Sequence, residues 1–294
     1  MAYASFRELL AAADEHGTLG RAALAREAEE SGDSPVAVME RMDASLTVME
    51  GAIAEGLAQT ARSRSGLVGG DAALLASAEP RVVDAATRDA IAAAIAVAEV
   101  NARMGRIVAA PTGGASGVVP AVLMIVARRV AASREETVLA LIAAAALGGV
   151  IAARAFLSGA AGGCQAEIGS AAAMAAFAAT ELAGGSPRAA GNAAAFALQG
   201  QLGLVCDPVA GLVEVPCVMR NATGTAVALA AVELALAGAC FPIPLDEVID
   251  AMGHVGRSLP PSLRETAVGG LAGTPTARTL AARPDRPADR CTET

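Results

Sequence analysis

The chain has 294 residues and a net charge of −8, from 22 basic and 30 acidic side chains; this balance argues against a nucleic-acid or anionic-membrane surface. Hydrophobic residues make up 54% but aromatic residues only 2%, so base-stacking platforms are absent. Apolar volume comes from Ala, Val, Leu, Ile and Met, which closely packed Ala-rich helices can bury.

The first residues carry Arg7, Asp14 and Glu15 and lack the basic-then-apolar pattern of an export signal, so a cytoplasmic setting is expected. Short amphipathic helices are predicted within residues 7–30. Over residues 35–59, Met39, Met42, Leu46, Met49 and Ile53 recur every three or four positions and predict one longer helix with a packing stripe. Residues 63–73, SRSGLVGGDAA, form a Gly-rich loop that ends near Asp71. A helix follows over 87–104, and APTGGASGVVP at 110–120 forms a second Gly-rich loop.

Ser133 and Glu136 make a capping box that starts a helix running to Ala153. Its apolar run over 138–153 is as long as the shortest membrane spans. Gly148 and Gly149 interrupt that run, and a buried core helix is expected. Further helices are predicted over 170–182, 188–198, 223–239 and 245–252. Residues 283–294 mix both charge signs with prolines and read as a disordered tail. The expected fold is all-α: one Ala-rich helical domain over 1–278 with functional Gly/Pro loops between helices. A helical arm takes up about 1–60, and a tail covers 279–294.

Five cysteines in a chain of this kind argue against a disulfide framework and leave metal binding or burial. Cys164, Cys206 and Cys217 lie in GGCQAEIGS, LGLVCDPVAG and LVEVPCVMRN. Their separations of 41 and 10 residues exclude compact ferredoxin runs and paired CxxC zinc patterns. Three thiolates would leave one iron of a four-iron cluster open as a Lewis acid; zinc with three cysteines and a water uses the same residues. No lysine occurs, so pyridoxal phosphate cannot be held as a lysine Schiff base. Consecutive amides in APTGGASG, with Thr112 and Ser116, can cradle a carboxylate or simply open a helix.

The stretches NARMGRIVAAPTGGASGVVPA (101–121), SGAAGGCQAEIGSAAAMAA (158–176) and GLVCDPVAGLVEVPCVMRNA (203–222) closely resemble the iron–sulfur L-serine dehydratases. The resemblance is to the separate alpha chain of the two-chain type. It extends over SGLVGGDA (65–72), residues 246–276 and residues 43–50. It implies a [4Fe-4S] cluster on Cys164, Cys206 and Cys217. It also implies deamination of L-serine to pyruvate and ammonia without pyridoxal phosphate, the iron that lacks a cysteine acting on the substrate hydroxyl.

Thr112, Ser116 and the amides of Gly113 and Gly114 are the candidate carboxylate contacts, and Asp71 the candidate ammonium contact. Asp207 and Glu214 would accept hydrogen bonds beside the ligands or cap helices, and Arg220 would offset cluster charge. Neither His16 nor His254 lies in these loops. The resemblance implies pairing with a smaller beta chain that completes the site and is a candidate source of the base. Cys240 reads as a buried small hydrophobe, and Cys291 as a tail thiol within reach of the open iron. Related readings on the same residues are cysteine desulfidation, a zinc lyase, and a non-catalytic scaffold with packed cysteines.

Overall fold

The computed structural model describes residues 3–282. Among these the chain forms thirteen α-helices and no strand, so the all-α expectation holds. Its one extended pairing is an isolated parallel bridge between Cys206 and Arg264.

Side-chain caps set most helix starts. Ser5 and Thr18 accept from the N–H groups of Glu8 and Arg21 and open α1 (Phe6–His16) and α2 (Leu19–Ser31). Ser34 opens α3 (Pro35–Ala58), with Pro35 in the first turn. After α4 (Asp71–Ser77), Asp84 caps α5 (Ala85–Ala102). Then come α6 (Val118–Arg129) and α7 (Arg134–Arg154), and α7 begins with the expected Ser133–Glu136 capping box. The remaining helices are α8 (Gly159–Gly162), α9 (Ser170–Leu182), α10 (Pro187–Gln199), α11 (Cys217–Leu236), α12 (Leu245–Ser258) and α13 (Pro275–Ala281).

The centre of the molecule is α9, buried from Ser170 to Thr180 and packed against α6, α7, α10 and α11. Small residues let these helices approach closely. At Gly56 of α3, an added Cβ would collide with the backbone of Ala96 in α5. The few aromatics act as plugs: Phe6 of α1 meets the fully buried Phe177 of α9 edge-on, with ring centroids 5.8 Å apart. α7 is long and apolar enough to cross a membrane, but 67% of its apolar stretch is buried in the bundle, as expected of a core helix.

The N-terminal helices do not project as an arm. α2 packs along α7, and α3 packs along α5 and α7. Leu46, Met49 and Ile53 of the α3 stripe are buried, and Met39 and Met42 half-buried. Arg134 fastens α3 further, pairing with Asp43 and with Glu50 at 2.6 Å and donating to Thr47 at 2.8 Å.

Three details differ from the sequence expectation. Residues 118–129 form α6 although 110–120 reads as a loop, because Pro120 falls in the first turn, where no N–H is needed. α11 begins at Cys217, earlier than expected, and ends at Leu236. Gly238, at φ +90, breaks the helix there, so Cys240 lies beyond it and is exposed rather than buried. α13 carries helix to Ala281, just past the expected boundary; Cys291 and the rest of the tail lie outside the described residues.

Candidate active site at the cysteine loops

Each cysteine is placed by a different local device. Ser158 caps the short α8, and Gly163 at φ +77 turns the chain into Cys164. From Cys164 the backbone runs through a π-helical turn, Gln165–Gly169, into α9. Gln165 staples this turn to the approach to Cys206: its N–H donates to Leu204 O at 2.9 Å, and its Oε1 accepts from Gly203 N–H at 2.8 Å. Cys206 lies in an extended segment, donating to Leu263 O at 2.9 Å and accepting from Glu265 N–H at 2.7 Å. Cys217 follows the cis Val215–Pro216 bond and is the first residue of α11, not a loop residue.

These devices bring donors together. One donor atom from each of Cys164, Glu167 and Cys206 lies within 4.8 Å of the other two; no other trio of His, Cys, Asp or Glu does so among the described residues. Cys206 Sγ stands 3.8 Å from Glu167 Oε2. Cys217 is outside this trio but close enough to feel it. Its thiol is pushed up to about 12, first by burial and then by the charges of Cys164 and Glu167. All three cysteines are buried and unpaired.

The neighbouring thiols of Cys164 and Cys206 act on each other: Cys206 pulls Cys164 down, while Cys164, together with burial, pushes Cys206 up. Arg220 also favours a thiolate at Cys164. This arginine is held by Asp207 at 2.8 Å and by Val205 O at 2.8 Å, and Asp207 accepts in turn from Leu271 N–H at 2.7 Å. Arg220 is thus a fixed internal cation beside the sulfurs. Glu214 accepts from Ser63 at 2.8 Å and from Ser65, so the first Gly-rich loop is tied to the turn before Cys217.

The second Gly-rich loop faces the trio. Thr112 Oγ1 donates to Glu167 Oε1 at 2.7 Å. The N–H groups of Gly113 and Gly114 have no protein acceptor among the described residues, as a carboxylate cradle requires. Ser116 has a different task. Its hydroxyl is fully buried and donates to Gly113 O at 2.8 Å, so it braces the loop from behind.

Asp71 is the first residue of α4, and its N–H donates to the buried Glu99 at 2.8 Å. It is not among the side chains that converge on the cysteines. His16 and His254 are exposed on α1 and α12 and are also outside the trio.

Two residues escaped sequence reasoning. Glu167 looks like an ordinary helix residue in CQAEIG, and the π-helical turn aims it at the sulfurs; such turns recur at functional sites. Asn221 is fully buried. It accepts from Gly117 N–H at 3.0 Å and donates to Gly114 O at 2.7 Å and Cys217 O at 2.9 Å. It thereby locks the Gly-rich loop to the start of α11.

Comparison with known proteins places these loops in context. The profile of the family described as Serine dehydratase alpha chain matches residues 14–272. A Bacillus subtilis (strain 168) protein named Probable L-serine dehydratase, alpha chain is 46% identical over 265 residues, covering 87% of this chain and 86% of that one. The L-serine dehydratase, alpha chain of Peptoniphilus asaccharolyticus is 39% identical over 278 residues, covering 93% and 95%. L-serine dehydratase TdcG of Escherichia coli (strain K12) is 45% identical over 181 residues, which are 61% of this chain but 40% of that longer protein.

Proposed function

The chain belongs to the serine dehydratase alpha-chain family, and from that premise we propose that it deaminates L-serine to pyruvate and ammonia with an iron–sulfur cluster. The observation that carries this reading is three unpaired buried thiols near a Gly-rich loop whose Gly113 and Gly114 amides have no acceptor among the described residues.

The donor set suits a cluster. The thiols of Cys164, Cys206 and Cys217 are soft ligands, and Arg220 supplies a fixed positive charge beside them. Gly159 lets its backbone pack close against the donors: a Cβ there would come 2.6 Å from both Cys206 Sγ and Glu167 Oε2. When bound to these three cysteines, a [4Fe-4S] cluster supplies one iron without a protein thiolate, a Lewis acid that makes the substrate hydroxyl a better leaving group.

The chain's own residues do the rest. The Gly113 and Gly114 amides bind the substrate carboxylate, and Thr112 fixes the rim of that cradle. Ser116 and Asn221 keep the loop rigid, which holds the substrate in one orientation. With no lysine in the sequence, pyridoxal phosphate cannot form its usual Schiff base. Neither histidine belongs to the trio, and a partner beta chain supplies the base for the α-proton. The names of the alpha-chain relatives and the greater length of TdcG support a second polypeptide. A reducing cytoplasm keeps the thiols available.

A second reading has one observation in its favour. The tight Cys164–Glu167–Cys206 trio also suits a single divalent ion such as zinc. The test is an anaerobic assay of the alpha–beta complex with L-serine and L-cysteine. Pyruvate and ammonia from serine by a brown, iron-containing complex support the proposal. Sulfide from cysteine with no reaction on serine, or a colourless active zinc protein, would overturn it.

A further inference from the structure

Glu167 holds a position that the cluster reading does not explain. Its carboxylate is half-buried, yet no Arg or His pairs with it among the described residues. Arg220, whose charge reaches it, is already held by Asp207 and Val205 O. One carboxylate oxygen accepts from Thr112 at 2.7 Å. The other has only the long 3.8 Å contact with Cys206 Sγ, and the Gly159 backbone passes beside it. A desolvated carboxylate without a cation is costly unless a partner arrives.

The free amides of the Gly-rich loop lie beside it. A Cβ placed on Gly114 would stand 3.5 Å from Glu167 Oε1, and the N–H groups of Gly113 and Gly114 lack acceptors among the described residues. Two unpartnered donors and one unpaired carboxylate thus sit side by side next to the sulfurs. Those are the complements of the two charged groups that an α-amino acid carries on a single carbon.

We infer that Glu167 receives the α-ammonium group of the substrate while Gly113 and Gly114 receive its carboxylate, so that the site selects α-amino acids over acids lacking the amino group. The inference rests on the deamination reading and deepens it. It moves the ammonium contact from Asp71, which the sequence suggested, to Glu167. A site built around a charged hydrogen-bonding group rejects analogues that lack its partner.

The test uses the cluster-loaded alpha–beta complex with wild-type, Glu167→Gln and Glu167→Asp alpha chains. L-serine binding is read from the substrate-induced change in the electron paramagnetic resonance spectrum of the dithionite-reduced cluster, which needs no turnover. Binding of 3-hydroxypropionate, which has the hydroxyl and carboxylate but no ammonium, is read the same way. Glu167→Gln is expected to weaken L-serine about 30-fold or more, in line with loss of a charge-assisted pair. Its affinity for 3-hydroxypropionate and its iron content should stay unchanged, and Glu167→Asp should recover part of the loss.

Equal weakening of both ligands, unchanged serine affinity, or loss of iron from the substituted protein would overturn the inference. If Glu167→Gln does not fold, Glu167→Asp decides alone: weaker serine binding with unchanged 3-hydroxypropionate binding supports the assignment, and any other pattern overturns it. A wild-type complex that neither binds nor deaminates serine would instead overturn the deamination reading, and this inference with it.

Discussion

The Thr112 hydroxyl donates to the Glu167 carboxylate across 2.7 Å, joining two segments that are 55 residues apart in the sequence. Through this one bond the Gly-rich loop and the Cys164 turn share a common frame. Replacing Thr112 with Val should leave a buried carboxylate oxygen short of a donor, a cost of about 1–3 kcal/mol. We expect a fall in kcat/KM for serine of roughly 5- to 100-fold, with iron content unchanged and Thr112→Ser close to wild type. Steady-state kinetics beside iron analysis check this.

Asn221 ties three backbone groups from two loops to one buried amide. Asn221→Ala would strand the Gly117 N–H and the Gly114 carbonyl, whereas the Cys217 carbonyl keeps its bond within α11. Unmade buried hydrogen bonds cost about 1–3 kcal/mol each, so the variant should lose on the order of 3 kcal/mol. Denaturant unfolding of the alpha chain measures it, and a change below about 1 kcal/mol would contradict the structural role.

Arg220 and Asp207 are paired at 2.8 Å with side chains only 14% and 3% exposed. Arg220→Met leaves the aspartate buried without its cation, a defect worth about 3–5 kcal/mol. It also removes a charge that favours the Cys164 thiolate. Losing that charge raises the Cys164 thiol, so the thiolate forms only at higher pH. In cluster-free protein under denaturant-free conditions, the pH profile for alkylation of Cys164 should therefore move upward. An unmoved profile would show that Arg220 does not act on that sulfur.

Gly159 tests whether space at the sulfurs matters. Its added Cβ would come 2.6 Å from both Cys206 Sγ and Glu167 Oε2, so Gly159→Ala must displace one of them. Because α8 is a four-residue turn outside the central helices, the helical core should stay intact. Iron per alpha chain should fall well below wild type while circular dichroism keeps the same helical signal.

Much of this arrangement is legible in the sequence where the cause is local. The Ala-rich run at 170–182 becomes α9 with the same bounds, and the Ser133–Glu136 box starts α7 as written. The three cysteines and Gly113–Gly114 also stand out as candidates, because Gly, Pro and Cys break up the helical pattern, although Cys217 opens α11 rather than lying in a loop.

What the sequence conceals is set by distant contacts. Glu167 enters the site because a π-helical turn shifts its direction, and that turn is stapled by Leu204 and Gly203 from another loop. Asn221 reads as a routine helix residue until its partners, over a hundred residues away, are in place. Ser116 looks like a ligand for the same reason that Thr112 does, yet the loop's own curvature turns it inward to Gly113 O. Cys240 misleads through ALAGAC, where the left-handed Gly238 ends the helix that the alanines suggest.

The central claim is that Cys164, Cys206 and Cys217 hold a cluster on which serine deamination depends. Iron and acid-labile sulfide should be counted per alpha chain in the anaerobically purified alpha–beta complex, with serine deaminase activity read on the same samples. The account predicts about four irons and four sulfides per alpha chain, with Ala at any of the three cysteines lowering iron, sulfide and activity together. Full activity on serine in a protein without iron or sulfide, or in any of those three variants, would contradict it.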